Sequence, residues 1–128
     1  MLSVDMDRER IYKIVTVRFP CGIGGKLISK IDLETREITA EYSVGMWDES
    51  GSLIPANRYQ LTFPEDSWCG AKDIVLNWAN ACSGMLQQDY EVDELDLSEC
   101  QSVEAQIELM RMAGHSVWRP QPSRRKLS

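Results

Sequence analysis

The chain has 128 residues, a mass of 14.6 kDa and a formal net charge of −6, with 43% hydrophobic and 27% charged residues. That length holds one hydrophobic core and not two, and the balance of apolar to charged residues excludes a disordered chain and a long coiled coil. Apolar runs such as Ile74-Val75-Leu76 are too short to span a bilayer, and the opening MLSVDMDRER carries charges where a secretion signal needs an apolar stretch, so neither a membrane nor a secreted protein is expected.

In chain order, residues 9–19 predict a strand from Tyr12 to Phe19, with Tyr12, Ile14 or Val15, Val17 and Phe19 supplying β-branched and aromatic bulk. Pro20 and the glycines Gly22, Gly24 and Gly25 are expected to stop it in a turn. KLISKIDL, the polar Glu34-Thr35-Arg36 and EITAEYSVGMW then read as a hairpin, with Ile38, Ala40, Tyr42 and Val44 on one face. Asp48-Glu49-Ser50-Gly51 is a second turn signal, and Leu53 to Phe63 returns as a strand in which Tyr59, Leu61 and Phe63 alternate with polar residues. Four consecutive strands predict an antiparallel meander.

At Pro64 the period changes from two to that of a helix. Ala71, Ile74, Val75, Trp78, Cys82 and Met85 recur at spacings of three and four, predicting a helix over Ala71–Leu86. Residues 89–99 read as an acidic linker in which Val92, Leu95 and Leu97 form a short extended piece. Ser98 precedes Gln101 at capping-box spacing, and the stripe Cys100, Val103, Ile107 and Met110 predicts a second helix over Glu99–Ala113. Strands followed by helices give an α+β class: an N-terminal antiparallel sheet of three or four strands with two helices packed on one face. Residues 1–118 are expected to form this single domain, and residues 119–128 a basic Pro/Arg tail bound to a partner.

The charge is unevenly placed. Residues 1–63 hold 8 basic and 9 acidic side chains, residues 64–118 hold 2 and 11, and residues 119–128 hold 4 and none, for sums of −1, −9 and +4. An acidic body repels phosphate backbones, which argues against nucleic acid as its partner. The tail bears Arg119, Arg124, Arg125 and Lys126 beside Trp118, and its charge complements Asp89, Glu91, Asp93 and Glu94 of the middle segment. Trp47, beside a turn, and Trp118, beside the tail, are the aromatic candidates for an interface, since a Trp next to an Arg is a common anchor. Both also fit the ends of the core.

No chemical motif is complete. Cys21, Cys69, Cys82 and Cys100 include no close pair, which speaks against zinc and for reduced, mostly buried thiols. The run Pro20-Cys21-Gly22-Ile23-Gly24-Gly25-Lys26-Leu27 lacks the spacing of a phosphate loop and the third glycine of a dinucleotide fingerprint. His115, the only histidine, has no nucleophile motif with it and reads as a helix-terminal residue. The acidic cluster Asp89 to Asp96 lacks the ligand order and glycine of a calcium loop. No cofactor and no metal is expected.

The stretch from Tyr42 to Met85, a strand, the DESG turn and then YQLTFPEDSWCGAKDIVLNWANACSGM, is similar to short accessory proteins encoded among the virion genes of tailed bacteriophages. The resemblance covers about a third of the chain. It implies a structural or assembly role without catalytic residues. The resulting expectation is a non-enzymatic virion component of the tail, neck or fibre-attachment region, made in the host cytoplasm, whose partners are copies of itself or other virion proteins. Two other classes are open: an acidic decoy that imitates DNA charge with the segment Glu65 to Glu108, and a small enzyme, which a deep pocket with convergent polar groups would reveal.

Overall fold

A computed structural model describes residues 9–98, 100 and 102–112. Five strands, β1 (Glu9–Arg18), β2 (Ile23–Asp32), β3 (Glu37–Trp47), β4 (Leu53–Pro64) and β5 (Glu91–Asp96), form one sheet in the order β4-β3-β2-β1-β5. All four pairings are antiparallel. A 3-10 turn at Glu65–Ser67 leads into helix α1 (Trp68–Leu86), and helix α2 spans Val103–Met112.

The α+β class and the four-strand meander are as the sequence predicts, but the sheet has five strands instead of three or four. The segment read as an acidic linker supplies the fifth, which pairs with β1 from Lys13↔Asp96 to Arg18↔Glu91. Its two apolar residues, Val92 and Leu95, are three apart and fall on opposite faces, so no period of two marks the segment as a strand.

The two helices do not share a face. Helix α1 packs on Tyr12, Val15, Val17, Leu27, Ile38 and Tyr42, whereas Met110 of α2 packs with Ile11, Ile14, Ile28 and Leu97, which point the other way. The correction has a physical cause in β1 and β2: both carry apolar side chains on both faces, so one layer of helix cannot cover them. Ile11, Ile14, Val15, Val17 and Leu27 are all fully buried.

A bulge in β1 arranges this. Ile11 pairs with Lys30 and Ile14 with Ile28, so Tyr12 and Lys13 together stand opposite Ser29. The extra residue places Ile11 and Ile14 on the α2 side while Tyr12, Val15 and Val17 face α1, which resolves the ambiguity between Ile14 and Val15. Ser29 closes the broken ladder. Its Oγ accepts from the Lys13 N–H at 3.0 Å and donates to the Lys13 carbonyl at 2.7 Å, and the residue is fully buried. Ser29→Ala is therefore expected to leave two backbone groups without partners and to lower stability by about 2 kcal/mol, read from the urea midpoint. An unchanged midpoint would mean that the bulge holds itself.

Other boundaries move for local reasons. Helix α1 begins at Trp68, not Ala71, because Trp68 is buried against Tyr12 and Phe63; it ends at Leu86, where Gln87 takes a left-handed φ of 56°. Helix α2 is capped by Ser102, whose Oγ accepts from the Ala105 N–H, and not by Ser98, whose hydroxyl donates to Asp96. Cys100 lies before that helix, while Glu99 and Ala113 are outside the described residues. Gly24 and Gly25 belong to β2, and only Gly22, with φ 100°, serves the turn. The thiols are free, but Cys21 and Cys69 are exposed and Cys82 and Cys100 only half-buried, so the expectation of mostly buried cysteines is not met.

Candidate interaction surface

The two edges of the sheet differ in chemistry. Strand β5 is six residues long and carries Glu91, Asp93, Glu94 and Asp96. Short length and repeated like charge are the ordinary means by which an edge strand avoids pairing with another chain. Strand β4 has twelve residues, and Arg58 is its single charged side chain. No described strand covers its outer side. Pro55 and the irregular pairing at Ala56 guard one end, leaving Asn57 to Phe63 as a regular, nearly neutral edge.

Helix α1 repeats this asymmetry. On the flank toward β5, Lys72 makes an ion pair with Glu94, and Asn80 accepts a hydrogen bond from the Tyr90 hydroxyl. On the flank toward β4, Gly70, Ile74, Asn77, Ala81 and Met85 recur at spacings of three and four without a charge, and all five are exposed. Ile74 is 44% exposed and Met85 82%. Between this flank and β4 lies an open groove of about 480 Å³ lined by Tyr42, Val44, Tyr59, Leu61, Ile74 and Trp78. Tyr59 stands at its rim, 50% exposed, stacked on Tyr42 at 5.7 Å.

Tyr42 forms part of the groove floor. It is 5% exposed, and its hydroxyl is buried without a hydrogen-bond partner. Burial first, then the neighbouring Cys82 and Tyr59, push its pKa well above the ordinary tyrosine range, so it stays a neutral hydroxyl. An apolar wall with one buried hydroxyl favours contact with other apolar groups.

The residues that the sequence singled out lie elsewhere. Trp47 is half-buried on the α2 side of the sheet, where its indole Nε1 donates to the Val17 carbonyl at 2.9 Å and the Arg18 guanidinium stacks 3.9 Å from its ring centre. Arg18 stands opposite Glu91 in the β1–β5 register. Asp93 follows on the same face as Glu91, opposite Thr16. Glu94 points to the α1 face and is engaged by Lys72 and Lys13, while Asp89 is exposed in the connection before β5. Trp118, Arg119, Arg124, Arg125, Lys126 and His115 lie outside the described residues.

A second hollow, of about 310 Å³, opens between Arg10, Tyr12, Arg36 and Cys100. Its cations are committed: Arg36 holds both carboxylate oxygens of Glu65 at 3.1 Å, and Arg10 donates to the Glu9 carbonyl. Among the described residues no three potential metal ligands come together, and no helix is long and apolar enough to cross a membrane.

Sequence reasoning missed the β4–α1 wall. Two signals were present: a twelve-residue strand with one charge, and a charge-free helical stripe one flank away from the buried stripe. Comparison of the chain with protein-family models, with curated proteins and with solved structures returns no match.

Proposed function

We propose that this chain is a non-enzymatic assembly protein that works as one copy in a larger oligomer. The observation that carries the reading is the wall formed by β4 and the adjacent flank of α1: a long edge with one charge, continuous with an apolar groove, is a surface that a solitary protein would be expected to blunt. The opposite edge is blunted, so the sequence does not lack the means. A virion is the setting suggested by the resemblance over Tyr42–Met85, with copies of the chain or other virion proteins as partners. A second contact is available to the basic tail, whose charge suits the Asp89–Asp96 segment of a neighbour, although Glu94 and Asp96 are already partly engaged by Lys72, Lys13 and Ser98.

Light scattering on the eluting full chain, and on a chain ending at Val117, tests this. Masses above 14.6 kDa are expected for the full chain at low and moderate salt. A smaller assembly without the tail assigns the tail a share of the contact. Monomers for both chains at every salt and concentration overturn the reading.

A further inference from the structure

Resting on that assembly reading, we infer that the occupant of the β4–α1 wall is a second copy of this chain, joined β4 to β4 in antiparallel fashion about a two-fold axis, so that two five-stranded sheets become one of ten strands and the two β4–α1 grooves open toward each other across the axis.

Charge favours this partner. A chain of net charge −6 repels its own copy over most approaches, and the β5 edge with its four carboxylates repels it most directly. The β4–α1 wall is where that repulsion is least: Asn57 to Phe63 hold one cation and no acid, and Gly70, Ile74, Asn77, Ala81 and Met85 hold no charge. Isologous pairing also has to keep Arg58 away from itself. Registers centred on Tyr59 or on Gln60 do so, setting Arg58 against Gln60 or Thr62 of the second copy, so no like charges meet across the axis.

Layering agrees. At about 3.3 Å per residue β4 runs roughly 40 Å, and with a layer about 10 Å thick its edge offers roughly 400 Å² per copy. Helix α1 is set back over the middle of the sheet, so the further area comes from the open groove between α1 and β4. The strand edge alone would be too thin, and the helix flank alone would leave the backbone groups of β4 to water. Together they offer ladder hydrogen bonds below and apolar contact above. Tyr59 and Ile74, exposed at 50% and 44%, are the side chains that the second copy would bury.

The test is the mass of the full chain across micromolar to sub-millimolar concentration, with three variants. Tyr59→Lys sets two cations near the axis, and Ile74→Glu sets a carboxylate in the wall of each groove. Because a two-fold contact counts each change twice, either is expected to weaken self-association by about 100-fold or more. Leu33→Lys, exposed in the turn after β2 and away from both contacts, is expected to leave it unchanged. Circular dichroism checks that each variant folds, and amide exchange on the unaltered chain gives a second readout: the outward amides of Asn57–Phe63 should exchange more slowly in the dimer than after dilution. An oligomer that ignores both Tyr59→Lys and Ile74→Glu overturns β4 pairing while leaving the assembly reading in place. A monomer at every concentration overturns the second copy as occupant, and a partner of another kind captured on the same wall does likewise.

Discussion

Replacing Gln106 with alanine is expected to lower the stability of the domain by about 4 kcal/mol, a large part of the 5–15 kcal/mol typical of a domain this size. Gln106 is fully buried, and its amide takes the place of a missing strand neighbour. Beyond the last β5 pairing, the Leu97 N–H still reaches the Tyr12 carbonyl, but the backbone of Ile11 has no strand on that side. The Gln106 Oε1 accepts from the Ile11 N–H at 2.9 Å, and its Nε2 donates to the Ile11 and Leu97 carbonyls at 2.7 and 3.1 Å. Three buried backbone groups thus depend on one side chain, and each costs about 1–3 kcal/mol when left unpaired. The same amide ties α2 to the sheet. Hydrogen exchange at the Ile11 amide identifies the mechanism: it should accelerate in Gln106→Ala more than amides near Trp78 do. Gln106→Glu keeps the length but presents a carboxylate to two carbonyls, so it should fare no better at neutral pH. A variant that keeps its urea midpoint and its Ile11 protection would show that water replaces the amide without cost.

Gln106 also marks the limit of what the sequence makes legible. A stripe of apolar residues locates α2, yet the residue that fastens the helix is polar and lies 95 positions from its partner in the chain. No periodicity encodes such a contact. The same holds for the bulge at Tyr12 and Lys13: the pattern shows that either Ile14 or Val15 breaks the alternation, but only the pairing with Ser29 says how, and with it why the second helix must take the opposite face. Strand β3 and the body of α1 were legible because one face of each is apolar at its natural period. Strand β5 was legible only as a short extended piece, since four of its six residues are acidic, five are exposed, and its pairing with β1 leaves no mark in the sequence.

The candidate site divides along the same line. Trp47 drew attention as an aromatic beside a turn; in the structure it is half-buried, with its indole bonded to the Val17 carbonyl and the Arg18 guanidinium over its ring. The β4–α1 wall drew none, because a reading that looks for charged and aromatic clusters passes over a surface defined by the lack of charge. Its two halves come from segments that are each ordinary in isolation: a strand ending at Pro64 and a helix beginning four residues later. Only their juxtaposition shows that both leave the same side uncharged.

Gly24→Ala is the second substitution expected to have a large effect, of about 3 kcal/mol, and it tests why two glycines stand near the start of β2. Gly24 and Gly25 point to opposite faces of β2, and each has a tryptophan above it. A methyl group at Gly24 would collide with the indole of Trp47 and stand 2.5 Å from the Val17 carbonyl, whereas at Gly25 the nearest atoms are those of Trp78 at 3.0 Å and the Ser43 carbonyl at 3.3 Å. The backbone carbonyl cannot retreat, so at Gly24 the indole must leave. It then loses its hydrogen bond to Val17 and the Arg18 guanidinium over its ring, worth about 1 kcal/mol each. The remaining cost is strain between β1 and β2 at the Arg18↔Gly24 pairing. Gly25→Ala asks only for a shift of a few tenths of an ångström by Trp78 and should cost clearly less. The decisive measurement is a double-mutant cycle with Trp47→Ala: once the indole is gone, the alanine at 24 meets only the Val17 carbonyl, so its cost should fall by about 1–2 kcal/mol. If the cost of Gly24→Ala is the same with and without Trp47, the glycine is required by the backbone of the β1–β2 pair alone, and the indole merely fills the space above it.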